Sequence, residues 1–407
     1  MMDRRQLLRA TGGLAGLAAL GTAGCGSQSP SGDATLNFWS FYGEPFGAVL
    51  TKVFDRYSKA NPGVKVNHRV IPFGDFNRTL LQAGSAGKLP DIALISALDT
   101  GTFAEAGIVQ DITDRVEQWG EVDNYFKGGI DTTLHKGKRY GLPHVSDCYV
   151  LWCNTDLVKT PPQTWDELAT TAEDLSKGDR YGLTLSAVKG VEGATAWVIR
   201  LLSAGGDVTK LDSEAGRTAL RQWVDLVKTR GMSREVLTMV EDDAKDRFAA
   251  GKAAMMINSA SYVNTLRTEN PDLKWKVAKI PEDVQSATFL AQENLTITAG
   301  AKDPDAAWKL VAYLQKPDVL TKYLPERNKL PAREDLSSRE PWSDDPVWQV
   351  FLDQLPSAWA PTGKTAQVSA EILTHVQGAI QAAVSGDKTV DAALAQAQQK
   401  IDGALEA

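Results

Sequence analysis

Cysteine and histidine are scarce in this 407-residue chain, at three and four residues. A disulfide framework or a His/Cys metal centre needs more of both, at set spacings. His68, His135, His144 and His375 form no HExxH pair and no ligand-spaced cluster, so no metal and no organic cofactor is expected. Cys148 and Cys153 lie five apart in an apolar run that reads as a strand. An odd spacing on a strand points side chains to opposite faces, so both are expected as buried free thiols. A GxSxG nucleophile elbow is missing too: at Gly84-Ser85-Ala86-Gly87, Ala83 holds the first Gly position. A glycosidase carboxylate pair, being a spatial feature, stays open at this point. Positive charge is not in excess. The 44 Lys+Arg stand against 51 Asp+Glu, a net charge of −7. That argues against a nucleic-acid partner and against electrostatic adhesion to anionic lipid. No internal repeat is present, and the apolar stretch Ala10 to Gly24 is shorter than the about 20 residues that span a bilayer.

That stretch sits between a basic start (Arg4, Arg5, Arg9) and small residues ending at Cys25, the layout of an export signal. Thr22-Ala23-Gly24-Cys25 resembles a bacterial lipobox, whose Cys is acylated and becomes the new N-terminus. Arg4-Arg5 ahead of Gln6-Leu7-Leu8 resembles a twin-arginine signal. The expected product is extracytoplasmic, with residues 1–24 removed and Cys25 lipidated at the outer face of the cell membrane or in the periplasm. The signal carries off Arg4, Arg5, Arg9 and Asp3, which takes the net charge from −7 to −9. Residues 25–33, rich in Ser, Gly and Pro, read as a flexible tether.

The rest has length for two or three domains and ample core. Thr35–Trp39 alternates like a strand. Phe46–Asn61 has helical apolar spacing and stops at Asn61-Pro62. Val64–Val70 reads as a strand, Phe73–Ala86 as a helix, and Asp91–Ile95 as a short buried strand. This β-α-β-α-β order is that of an α/β sheet. Further on, Tyr149–Cys153, Ala253–Ile257 and Leu295–Thr298 read as strands. Thr164 with Glu167 forms a capping box for a helix over Trp165–Lys177. The chain closes on two helices, Ala366–Val384 and Val390–Ala404.

An ordered set of landmarks carries a resemblance. It runs through Phe38-Trp39, Pro90-Asp91-Ile92, Leu151-Trp152-Cys153-Asn154-Thr155-Asp156-Leu157 and Pro162-Gln163-Thr164-Trp165-Asp166-Glu167-Leu168. It continues through Phe248 to Met255, Ala306-Ala307-Trp308-Lys309, Leu330-Pro331-Ala332-Arg333 and Val384 to Leu394. Nearly the whole mature chain thus resembles the extracellular solute-binding proteins of ATP-binding-cassette importers, in the maltose- and trehalose-binding branch. The resemblance implies an α/β fold of two lobes, a type II periplasmic-binding-protein clamp. Each lobe is a mixed sheet flanked by helices, and a multi-strand hinge joins them. It places residues 34–144 plus 293–330 in lobe 1 and 145–292 plus 331–407 in lobe 2, with crossings near Val145, Gln292 and Leu330. It further implies a monomer that captures a sugar and hands it to the permease subunits, not an enzyme.

A sugar cleft needs aromatic faces for the apolar side of a pyranose and planar polar groups for its hydroxyls. On that chemistry and the resemblance, the expected ligand contacts in lobe 1 are Tyr42 and Glu44 after the first strand, and Ser96 and Asp99 after the third. Ser96 reads equally as a helix cap. Asp147, just past Pro143, is the best single acid, its alternative being a hinge residue that caps backbone amides. In lobe 2, and at the crossing near Gln292 that leads into lobe 1, the expected contacts are Trp197, Ser261, Tyr262, Gln292, Glu293, Asn294 and Trp359. Tyr262 substitutes for a family Trp, and Gln292-Glu293-Asn294 stands where relatives often read Gly-Gly-Trp. Trp359 reads equally as a packing residue. The pocket therefore departs from the maltose and trehalose pattern, which implies another oligosaccharide or a sugar-like polar ligand.

Overall fold

The computed structural model describes residues 34–406; the expected export signal, Cys25 and the expected tether lie outside them. The strands are β1 (Ala34–Ser40), β2 (Val64–Val70), β3 (Ile92–Ser96), the hairpin β4 (Leu134–His135) and β5 (Lys138–Arg139), β6 (Leu142–Asn154) and β7 (Tyr181–Thr184). They continue with β8 (Ala253–Ser259), β9 (Trp275–Ala278), β10 (Thr288–Ile297), β11 (Leu330–Pro331) and β12 (Ala358–Trp359).

The first half follows from simple periodicity. Leu50, Val53, Phe54 and Tyr57 recur at i, i+3, i+4 and i+7 and are the buried stripe of the helix Phe46–Ala60. Phe76, Leu80 and Ala83 do the same for Phe73–Ser85. β1 lies between β2 and β3, parallel to both. Its alternating burial gives way to full burial at Phe38–Ser40, where β3 joins.

Two long strands connect the halves. The sheet order is β2-β1-β3-β10-β6-β8-β7, with β11 and β9 also on β6 and β12 on β10. β10 pairs with β3 through Glu293–Ile297 and with β12 through Thr288 and Phe289. β6 pairs with β10 and β11 along its first part, and with β8 and β9 from Tyr149 on. Val145 sits opposite both Glu293 and Pro331, so three connecting segments cross side by side. All thirteen residues of β6 are buried, including His144, Ser146 and Asp147.

The second half packs on Trp152, Trp165, Trp197 and Trp223, with the closing helices Ser369–Val384 and Val390–Glu406 against Glu214–Lys228. Cys148 and Cys153 are free, fully buried and in separate core clusters. The Thr164 hydroxyl accepts from the Glu167 amide at 3.2 Å, while the Glu167 carboxylate reaches one residue further back, to the Gln163 amide at 2.7 Å. The capping box thus closes on Gln163 and not on Thr164.

Candidate functional site

A cavity of about 250 Å³ opens where the halves meet. The first half lines it with Phe41, Phe73, Ser96 and Leu98; the second contributes Tyr149, Glu192, Thr195 and Glu241, and β10 adds Phe289 to Glu293. The aromatic walls are built as layers. Phe73, at a helix start, stays 67 % exposed and meets Phe41 edge-on at 5.1 Å, and Phe41 packs on Tyr42 at 4.9 Å. Opposite, Tyr149 and Phe289 are perpendicular at 6.5 Å, and Trp359 backs Phe289 at 5.6 Å. Such rings offer flat apolar faces to the C–H side of a ligand.

Three carboxylates supply the polar side. Glu293 sits where β10 passes between the halves, at a register shift between Glu293 and Asn294. A bulge of this kind re-aims side chains. One Glu293 oxygen accepts from the Tyr42 hydroxyl, and Oε2 is buried with no partner. Burial pushes the Glu293 carboxyl above its ordinary range; Lys329 and Arg327 pull the other way. Glu241 opens the helix Glu241–Ala249 and accepts from the Tyr149 hydroxyl. Burial, then the charge of Glu192, raises it to about 8. Glu192 accepts from the Glu241 amide at 2.5 Å and so caps that helix; burial raises it as well.

Behind the cavity lies a buried ion cluster. Asp147 accepts from the Ala260 amide at 2.8 Å, the Ser261 hydroxyl at 2.9 Å and Lys329 Nζ at 2.9 Å. Arg327 lies 3.5 Å from the Tyr42 ring centre and donates to the Tyr323 hydroxyl. His144 stacks on Tyr323 at 5.3 Å, and burial pushes it down to about 3.

The structure sorts the expected contacts. Ser96, Gln292 and Glu293 line the cavity. Ser96 also caps the next turn, accepting from the Leu98 amide at 3.3 Å. Tyr42 reaches the cavity through Glu293. Asp147 takes the capping alternative: its oxygens and Ser261 are engaged with Lys329 and the backbone amide of Ala260. Gln292 and Asn294 are spent on internal bonds. Gln292 Nε2 donates to the Gly129 carbonyl at 2.9 Å and the Thr132 hydroxyl at 2.8 Å, and Asn294 Nδ2 to the Thr100 hydroxyl at 3.0 Å. Trp197 is fully buried in the second core, its apolar neighbours outcompeting the cleft; Thr195, two residues earlier, lines the cavity instead. Glu44 is exposed and off the cavity wall. Asp99, raised by burial, and Tyr262, raised by burial and by Glu241, are half-buried beside the site and do not line it. Trp359 supports Phe289 from behind.

Sequence reasoning missed Phe41, Phe73, Tyr149, Glu192, Glu241 and Phe289. Phe41 and Phe73 carried a usable signal, each standing just after a strand. The two glutamates carried none beyond a place at or near a helix start, where acids are common.

Two α/β halves hung on shared strands, with a polar and aromatic cavity at their junction, define the class of two-lobed binding proteins. The comparisons agree. The family model described as bacterial extracellular solute-binding protein matches residues 52–349, and the chain belongs to that family. It is 22% identical to the maltodextrin-binding protein MdxE of Bacillus subtilis over 91% of each chain. Among solved structures, a Thermotoga lettingae ABC-transporter solute-binding protein bound with α-D-tagatose is 27% identical. It superposes with a TM-score of 0.81 over 91% of this chain and 100% of its own. Maltose-bound MalE3 of T. maritima also gives 0.81, at 21% identity, over 91% and 99%.

Proposed function

We propose that this protein is the sugar receptor of an ABC importer. It would capture a saccharide between its lobes and deliver it to the permease as a monomer, without transforming it. The observation that carries the reading is the junction cavity with aromatic walls from both halves and carboxylates between them. The tagatose and maltodextrin relatives lend it weight. Residues 34–144 with 293–330 form one lobe and 145–292 with 331–407 the other. The hinge is the side-by-side crossing at Val145, Glu293 and Pro331. Ligand shifts the balance between open and closed forms by its differential affinity. In this reading the ligand contacts are Phe41, Phe73, Ser96, Tyr149, Glu192, Glu241, Phe289 and Glu293, with Tyr42 holding Glu293 in place. Export follows the signal at residues 1–24, and Cys25 carries the lipid.

The test is a saccharide panel read by thermal shift and by product analysis. A ligand that binds only the folded state raises the melting temperature, by about 2.7 kcal/mol of stability at a hundredfold excess over Kd. Stabilisation with intact sugar supports the receptor; hydrolysis products would support a tethered hydrolase instead. Loss of lipid labelling in Cys25→Ser tests the anchor.

A further inference from the structure

The cavity wall is acidic in a way a neutral sugar does not require. Glu192, Glu241 and Glu293 all line it, and none of the described lining residues is Lys, Arg or His. The two cations that act on Glu293, Lys329 and Arg327, are already engaged. Lys329 bonds Asp147 and Ser261 at 2.9 and 2.8 Å. Arg327 lies against the Tyr42 ring and bonds Tyr323. With Asp147 included, four carboxylates stand around two cations. The independent sign of a missing partner is Glu293: the residue is only 8% exposed, it faces the cavity, and its Oε2 has no hydrogen bond. A buried carboxylate oxygen left without a partner is costly, so a ligand donor is the natural occupant. Burial raises Glu293 against the pull of Lys329 and Arg327, and burial with the charge of Glu192 raises Glu241, so a further cation at this wall would favour the ionised form of both.

A bare metal ion does not suit this wall. Among the described residues no group of three His, Cys, Asp or Glu could hold one. Four aromatic residues, Phe41, Phe73, Tyr149 and Phe289, share the wall with the carboxylates. Aromatic faces beside carboxylates suit an organic ammonium, which gains from ring quadrupoles and from charge-assisted hydrogen bonds together.

Resting on the receptor reading above, we infer that the preferred ligand is a cationic saccharide, a sugar or oligosaccharide bearing a free protonated amine. The amine sits against Glu293 and Glu241 while its ring stacks on the aromatic wall, and its charge displaces to solvent the proton that the buried carboxyl of Glu241 holds in the ligand-free protein. An N-acetylated or purely neutral sugar offers the Glu293 oxygen only an uncharged hydroxyl or amide donor and binds more weakly.

Calorimetry on the purified protein at about pH 6, where a sugar amine is charged, distinguishes the possibilities. The probes are the glucosamine trisaccharide, its N-acetylated form and maltotriose. The expected result is about tenfold or greater preference for the amine. Glu293→Gln and Glu241→Gln, checked for an unchanged fold by circular dichroism, each remove most of that preference. Maltotriose or the N-acetylated sugar binding as tightly as the amine overturns this inference and leaves the receptor reading standing. Equal losses for all three sugars in both variants also overturn it, because the carboxylates would then serve only as hydroxyl acceptors. If none of the three binds and no saccharide in the thermal-shift panel does, the receptor reading falls and the inference with it.

Discussion

Glu241 and His144 make opposite demands on the proton. Glu241 holds its proton in the fold up to about 8, against an ordinary 4.5, because burial and Glu192 disfavour its charge. The stability it lends is complete below about 4.5 and is lost as pH rises through about 8. His144, pushed down to about 3 by burial, lends stability that is complete above 6.5 and lost as pH falls through about 3. The ligand-free melting temperature should therefore fall between pH 6.5 and 8. Glu241→Gln should flatten that limb, and melting curves across pH check it. Asp147 is a structural acid with its charge opposite Lys329, their side chains 1% and 12% exposed. Asp147→Ala strands Lys329 and should cost about 3–5 kcal/mol in urea unfolding. Adding Lys329→Met should recover most of it, since paired removal leaves no orphan charge. At this scale the sequence pointed to Asp147 as the key acid but left its use open between a ligand contact and a cap on backbone amides. One strand position reads the same whether it faces a ligand, a lysine or a backbone amide.

Among the elements, the turn Glu192–Ala194 matters most to the site. Gly193 is required there by close approach: a Cβ would lie 1.9 Å from the Val188 carbonyl oxygen, a backbone atom with no room to yield. Gly193→Ala should cost about 1–3 kcal/mol. It should also weaken ligand binding by moving Glu192 and the start of the helix Thr195–Ser203. Denaturant curves and calorimetry on one preparation check both. The helices and the outer strands were legible because their apolar residues recur at 3.6 or 2. β6 and β10 were read short, at Tyr149–Cys153 and Leu295–Thr298, where the structure has Leu142–Asn154 and Thr288–Ile297. Their missing parts contain His144, Ser146, Asp147, Gln292, Glu293 and Asn294. Those polar residues mask a strand in sequence and are tolerated in the fold because other segments bond or cover nearly all of them.

On the scale of the whole molecule, β6, β10 and β11 cross side by side between the halves, Gln367 and Ser369 touch Thr102 and Leu98 across them, and the cavity lies at that junction. Domain closure about such strands is the expected response to a ligand that touches both sides. Solution scattering should give a smaller radius of gyration with a binding saccharide than without. Glu293→Gln protein should need more ligand for the same compaction.

The sequence by itself determined the α/β class, the ordered landmarks of a solute-binding chain and the placement of most helices, because these follow from local periodicity and capping. Only the tertiary structure decided which side chains meet. Trp197 went into the core and Phe73 toward the cavity, while Glu192, Glu241 and Glu293 converged from segments about 50 residues apart. Burial and partner choice are properties of the assembled halves, and no local pattern of residues encodes them.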